Sequence, residues 1–85
     1  MYATDDQLFE AADRLLRYYN DEYTEQEDLN SVLLSYLSVA AYHGAEAYSE
    51  AEGVMRAYIE PGVPVGHFAD TLGKVVARLQ RVLAH

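Results

Sequence analysis

The amino-acid sequence predicts an all-α protein, a small single-domain bundle of four helices. Apolar residues recur at intervals of three and four along nearly the whole chain, which is the period of an α-helix. Residues that commonly begin helices stand just before three of the periodic segments. No stretch alternates polar and apolar residues for long enough to indicate a β-strand. With 85 residues and no cysteine, the chain is predicted to form one domain over residues 1–85, stabilised by apolar packing without disulfides.

The first helix is predicted to begin after Thr4 and to end at the corner formed by Asn20 and Asp21. Thr4 and Gln7 fit a capping box, in which the hydroxyl accepts from a backbone N–H and the amide reaches back to the cap. The apolar face of this helix consists of Leu8, Ala12, Leu15 and Tyr19.

The second helix is predicted to begin at Thr24, which forms a second capping box with Glu27. Its core positions are Leu29, Leu33, Tyr36 and Ala40, but the helix is apolar almost all round, apart from a line of serines at Ser31, Ser35 and Ser38. A helix of this kind is normally buried, so we expect it at the centre of the bundle. The serine face is then either open to solvent or in close contact with another chain.

A break between His43 and Ser49 is predicted to separate the second and third helices. Gly44 would end the second helix, and Ser49 with Glu52 would form a third capping box. A single long helix from Thr24 to Ile59 is the alternative, giving three helices, but each interior glycine would cost it about 1 kcal/mol relative to alanine. The core positions of the third helix are Ala47, Ala51, Val54 and Tyr58.

The stretch from Pro61 to Pro64 cannot continue a helix, so the last helix is predicted to run from about Gly66 to the end. Its apolar face consists of Phe68, Leu72, Val75, Leu79 and Val82.

The charge of the chain is strongly negative and unevenly distributed. The net charge is −8, and residues 1–60 hold thirteen acids against three bases. Such a surface repels phosphate backbones and anionic lipids, so it predicts no direct nucleic-acid or membrane binding and favours a protein partner with a basic surface. Without a signal peptide or an apolar stretch of membrane-spanning length, the chain is predicted to be soluble and cytoplasmic.

Most of the acids have an ordinary structural explanation. Those in predicted first turns complement the helix macrodipole. Four oppositely charged pairs at i,i+4 are typical surface support: Glu10–Arg14, Asp13–Arg17, Glu52–Arg56 and Asp70–Lys74.

The segment from Tyr18 to Asp28 is predicted to bind the partner. We call it the acidic corner, because it places five carboxylates within eight residues and Asp21 and Glu22 cap no helix. Tyrosine is enriched at protein interfaces. The predicted contact residues are Asp21, Glu22, Glu25, Glu27 and Asp28, with Tyr18 and Tyr23 beside them. The alternative is a solvated corner without a special role.

The sequence supplies no recognisable catalytic, cofactor or metal site. His43, His67 and His85 lack the spacing of a helical metal site, and no carboxylate interrupts an apolar segment where burial would raise its pKa. Phosphate loops and nucleophile motifs are also absent from the sequence. The chain is therefore predicted not to be an enzyme and to bind no cofactor or metal.

Two short stretches resemble known families. EDLNSVLL (residues 27–34) resembles the signature of acyl carrier proteins, which implies a phosphopantetheine arm on Ser31, although Asn30 replaces the aspartate and the preceding glycine is missing. YTEQE (residues 23–27) is similar to a stretch of the immunity proteins of nuclease colicins, which are also small, acidic and four-helical. The tyrosine pair of those proteins is missing here, so no functional residue carries over.

Three functional hypotheses follow. The first is an inhibitor or nucleic-acid mimic, of the anti-CRISPR-like or immunity type, whose acidic face occupies a basic surface of a nucleic-acid-handling protein. The second is a structural or assembly module that homodimerises or joins a complex through the apolar surfaces of the second and fourth helices. The third is a carrier domain modified on Ser31.

Overall fold

Four α-helices form the protein in the computed structural model, which describes residues 2–20, 26–62 and 64–84. They are α1 (Asp5–Asn20), α2 (Gln26–His43), α3 (Ala45–Ile59) and α4 (Val65–Leu83). Within these ranges there is no strand. The predicted all-α fold with four helices is therefore confirmed, and the alternative of three helices is excluded because α2 ends at His43.

Gly44 alone joins α2 to α3. Its backbone has φ 155 and ψ 173, a combination that is essentially restricted to glycine. The chain changes direction at this one residue, and the Gly44 carbonyl already accepts the first helical hydrogen bond of α3, from the Tyr48 N–H at 3.0 Å. The predicted break is confirmed and placed at Gly44.

The predicted cap at Ser49 is wrong. Ser49 lies inside α3, whose N-cap is Gly44 without any side-chain hydrogen bond. The prediction failed because the turn at Gly44 is complete in one residue, so that the helix restarts well before Ser49. As a result, Glu46 is the acid in the first turn of α3, and Glu50 and Glu52 lie further along it.

The predicted cap at Thr4 is confirmed. The Thr4 N–H donates to Gln7 Oε1 at 2.9 Å, and the Gln7 N–H donates to Thr4 Oγ1 at 3.2 Å. Both halves of the capping box are thus present at the start of α1.

Replacing Thr4 by alanine should lower the free energy of unfolding by about 1 kcal/mol, because the cap hydrogen bond to Gln7 is lost. Ser49→Ala is the matched control. Ser49 is an exposed residue inside α3, so this change should leave stability within about 0.5 kcal/mol of the wild type. Urea denaturation of both variants measures the difference. Equal effects at the two positions would contradict the assignment of the caps.

The break between α3 and α4 also lies where the sequence predicted it. Glu60 has an extended backbone, and α4 starts at Val65 with Pro64 as its N-cap, one residue earlier than expected. Proline suits this position because its missing N–H would have no helical partner there.

The helices form a ring in which each contacts two others. The contacts are α1 with α2, α2 with α3, α3 with α4, and α4 with α1; the diagonal pairs do not contact within the described ranges. The N–H of Ala3, just before α1, donates to the carbonyl of Tyr42 near the end of α2 at 3.0 Å, so these helices are antiparallel. The prediction that α2 is central is therefore wrong, because α2 has two neighbours like every other helix.

One hydrophobic core runs along the inside of the ring. Its buried members in the described ranges are Leu8, Ala12, Leu15, Leu29, Val32, Leu33, Tyr36, Ala40, Ala47, Ala51, Val54, Phe68, Leu72, Val75, Val76 and Leu79. These include nearly all the predicted core positions. Tyr19 and Tyr58, which were also predicted, are half-buried, and their ring centroids lie 5.0 and 5.2 Å from that of Phe68. The prediction was wrong for Val82, which is 50% exposed because it lies in the last turn of α4, beyond the core.

Candidate functional site

The structure describes only part of the acidic corner. Asp21, Glu22, Tyr23 and Glu25 lie outside the described residues. Glu27 and Asp28 belong to the first turn of α2, but their side chains also lie outside the description. The contact role predicted for these six residues stays a prediction.

Tyr18, in the last turn of α1, is the predicted contact residue whose side chain is described. It is half-buried and packs against the core. The guanidinium carbon of Arg14 lies 5.7 Å from the centre of its ring, within the range of a cation–π contact. Tyr18 is therefore part of the packing of the bundle, and its predicted contact with a partner stays a prediction.

Two ion pairs and one histidine–carboxylate contact join side chains in the described ranges. Arg17 pairs with Asp13 at 2.9 Å, and His43 Nε2 lies 2.7 Å from Asp5 Oδ1. The Arg78 guanidinium donates to both oxygens of Glu50 at 2.5 Å. Of the four predicted i,i+4 pairs, only Asp13–Arg17 forms within this part of the chain.

Many carboxylates remain outside these pairs. Within the described residues, no ion pair involves Asp6, Glu10, Glu46, Glu52, Glu60 or Asp70. Among the three bases of α4, Arg78 alone forms an ion pair in these ranges, and it neutralises one acid. Among the described acids of the first sixty residues, the bases of the last helix therefore pair with Glu50 alone.

The Glu50–Arg78 pair links α3 to α4 close to the buried phenol of Tyr36. Tyr36, on α2, is the largest fully buried side chain in the described ranges. Burial raises the pKa of Tyr36 well above its usual value; the negative charge of Glu50 raises it further, while Arg78 acts in the opposite direction. The hydrogen bonds to Glu50 raise the pKa of Arg78. The pair is half-exposed, so its contribution to stability is small.

Tyr36 should make the protein sensitive to alkali. Below pH about 10 the phenol is protonated in both folded and unfolded chains. Above that pH the unfolded chain releases the proton while the folded protein retains it, so the free energy of unfolding falls as pH rises towards the folded pKa. The Tyr36→Phe variant has no phenolic proton at this position, so this fall in its free energy of unfolding should disappear. The difference in free energy of unfolding between the variant and the wild type should therefore grow by up to about 1.4 kcal/mol per pH unit.

Urea denaturation between pH 9 and 11, roughly one unit on either side of the unfolded pKa, tests this expectation. Tyr2→Phe is the control, because Tyr2 is 87% exposed, and its curve should follow that of the wild type. If Tyr36→Phe lost stability with pH as steeply as the wild type, the phenol would not be the source.

We describe two concave regions that are lined by described residues. The smaller, of about 580 Å³, lies where the starts of α1 and α3 meet the ends of α2 and α4, and it contains the His43–Asp5 and Glu50–Arg78 pairs. Its charged groups largely satisfy each other. In the described part of the chain, no group of three or more acidic or histidine side chains is placed to hold a metal ion.

The larger concave region is a groove between α1 and α2, of about 720 Å³, which we call the α1/α2 groove. It is lined by Tyr2, Ala3, Gln7, Glu10, Ala11, Arg14, Val32, Ser35, Val39 and Tyr42. Tyr42 is 63% exposed at one end of the groove, beside Tyr2. This volume is within the range of protein binding sites.

Sequence reasoning missed the α1/α2 groove, although a signal was present. Val32, Ser35, Val39 and Tyr42 follow each other at intervals of three and four residues and form a second stripe beside the core stripe of α2. Because α2 was expected at the centre of the bundle, Val32, Val39 and Tyr42 were counted with its buried apolar surface and Ser35 with a separate serine face, so the stripe was not recognised.

The apolar surfaces of α2 and α4, which were expected to mediate assembly, differ in their exposure to solvent. The stripe of α4 packs into the core except near its end, where Val82 is exposed. On α2, by contrast, Leu34 is 59% exposed and the three serines are exposed. Ser31 lies inside α2 and does not open it, unlike the modified serine of the carrier signature.

The described helices include none that is both long and apolar enough to cross a lipid bilayer. Comparison of the chain with known protein families, characterised proteins and solved structures found no match.

Proposed function

We propose that the protein is a non-enzymatic binding module that uses its acidic surface to occupy a basic surface of a nucleic-acid-handling protein. The charge distribution carries this proposal. The first sixty residues have ten more acids than bases, and in the described ranges the bases of α4 neutralise only Glu50. A surface of this kind accelerates association with basic surfaces and competes with nucleic acid for them.

The acidic corner is the proposed centre of contact. It begins in the last turn of α1 and ends in the first turn of α2, so its two ends belong to helices. The macrodipole of α2 favours negative charge at this end, which offsets part of the repulsion among the carboxylates. Tyr18 adds aromatic area at the same end.

Partner capture followed by a salt series tests the proposal. Protein immobilised through its carboxyl end is exposed to an extract of the native host, and the captured protein is identified and purified. The dissociation constant should increase strongly between low and high salt, and the chain should displace nucleic acid from the partner. Binding that is indifferent to salt would overturn the proposed mechanism.

Charge reversal locates the contact. Asp21→Lys combined with Glu22→Lys should weaken partner binding by about tenfold or more while leaving the free energy of unfolding within about 0.5 kcal/mol. Glu46→Lys with Glu52→Lys is the matched control, since it changes the net charge equally on α3, a helix that does not contact α1 in the described ranges. If the control weakened binding more than the corner variant, the acidic corner would not be the centre of contact.

A further inference from the structure

The α1/α2 groove is nearly neutral in a protein of net charge −8. Among its lining residues, Glu10 and Arg14 are the charged ones, and they cancel. On the α2 side the sequence has no charged residue from Leu29 to Tyr42. A basic partner would find little net attraction in this groove, so the groove fits a different kind of occupant from the acidic corner.

Glu10 and Arg14 do not pair with each other, although they lie four residues apart on α1. In the described ranges neither side chain belongs to an ion pair, and the Arg14 guanidinium lies over the ring of Tyr18 instead. Both charges therefore remain available to a molecule that enters the groove. A partner that carries one base and one acid at the same spacing, on a helix that runs antiparallel to α1, would form an ion pair with each of these two charges.

We propose that this occupant is a second copy of the chain, bound face to face through the α1/α2 groove. The two-fold axis passes midway between Glu10 and Arg14, so that Glu10 of each copy pairs with Arg14 of the other. Such an interface is self-complementary, as a two-fold contact must be. The antiparallel arrangement brings Tyr2 and Tyr42 of one copy to the Arg14 end of the other groove, where they cover apolar surface around Val32.

Electrostatics favours this face over the others for self-association. Two copies that approach through their acidic surfaces repel, whereas the neutral groove lets them meet with two attractive pairs across the axis. The Cα extents of the bundle are 34 × 23 × 21 Å, so the cross-section of its long face, roughly 700 Å², is of the same order as the roughly 800 Å² that each partner buries in a stable interface. The dimer does not depend on the proposed inhibitory function, although the groove borders the acidic corner where Arg14 contacts Tyr18.

Sedimentation equilibrium of the full chain, from low micromolar to near-millimolar concentration, is the test. The wild type should shift from 9.6 kDa towards twice that mass as concentration rises. Glu10→Arg and Arg14→Glu should each weaken the dimer by about tenfold or more, and the double variant should restore it, because the swapped charges pair again across the axis. A wild type that stays monomeric throughout would overturn the proposal.

The single variants also separate specific pairing from general repulsion. Glu10→Arg changes the net charge from −8 to −6, so reduced repulsion alone would strengthen the dimer, whereas loss of the pair weakens it. A Glu10→Arg protein that dimerises more tightly than the wild type would contradict the proposed pairing.

Two exposed apolar residues of α2 identify the face. Tyr42→Ser, in the groove, should weaken the dimer by about fivefold or more, while Leu34→Ser, outside the groove, should leave the dissociation constant within about twofold. Loss of the dimer in Leu34→Ser but not in Tyr42→Ser would assign self-association to another face of α2 and overturn the proposal. Circular dichroism melting confirms that each variant is folded.

Discussion

Leu33→Ala should lower the free energy of unfolding by about 2–5 kcal/mol, because it leaves a cavity in the core of the ring. The next residue provides the control: Leu34 is 59% exposed, so Leu34→Ala should change stability by less than about 0.5 kcal/mol. The two variants remove the same atoms one residue apart on α2. Only burial distinguishes them.

Urea denaturation followed by circular dichroism measures both effects, and Leu79→Ala repeats the test from α4, where Leu79 is also buried. A chain of this size has a thin margin of stability, so either core variant could be largely unfolded at room temperature. Equal losses for Leu33→Ala and Leu34→Ala would mean that α2 is oriented differently in the bundle.

Gly44→Ala should destabilise the protein by about 1–3 kcal/mol, because its backbone occupies a region that residues with a Cβ rarely adopt. The cause is the backbone angle and not crowding, since a Cβ at this position would meet no atom within 4 Å. The alanine favours the helical angles that would fuse α2 and α3 into one rod and pull their core faces out of place.

Gly53→Ala is the matched control for the same substitution. Gly53 lies inside α3 with helical geometry and open space around it, so alanine should raise the free energy of unfolding by about 0.5–1 kcal/mol. Opposite signs at the two glycines are the expected result of thermal and urea denaturation. A stabilising effect at Gly44 would show that the turn is not required for the fold.

The core-facing residues of each helix could be predicted from the sequence because the helical spacing of apolar residues recurs along the whole segment. Leu8, Leu33, Val54 and Leu72 were all assigned to the core, and all are buried. The start of α3 was harder, because a capping box is short and occurs by chance within helices. Ser49 and Glu52 match it, but the geometry at Gly44 made a side-chain cap unnecessary.

The position of α2 could not be predicted from its composition. Its apolar residues serve three environments at once: Leu33 is in the core, Val39 lies in the α1/α2 groove, and Leu34 is exposed. Hydrophobicity does not distinguish these environments; the arrangement of the neighbouring helices does. The stripe of α2 that lines the α1/α2 groove was present in the sequence, but the groove itself also needs α1 beside it, and that arrangement could not be predicted from either helix alone.

The ring of contacts also bears on how the chain reaches its final form. Three of the four helix contacts join elements that are adjacent in sequence, and only the contact between α1 and α4 spans the chain. Local contacts form early and at low entropic cost, so we expect rapid folding in which the helical hairpins precede closure. The packing of the Phe68 ring against the tilted rings of Tyr19 and Tyr58 would then be among the last steps, and its loss would chiefly accelerate unfolding.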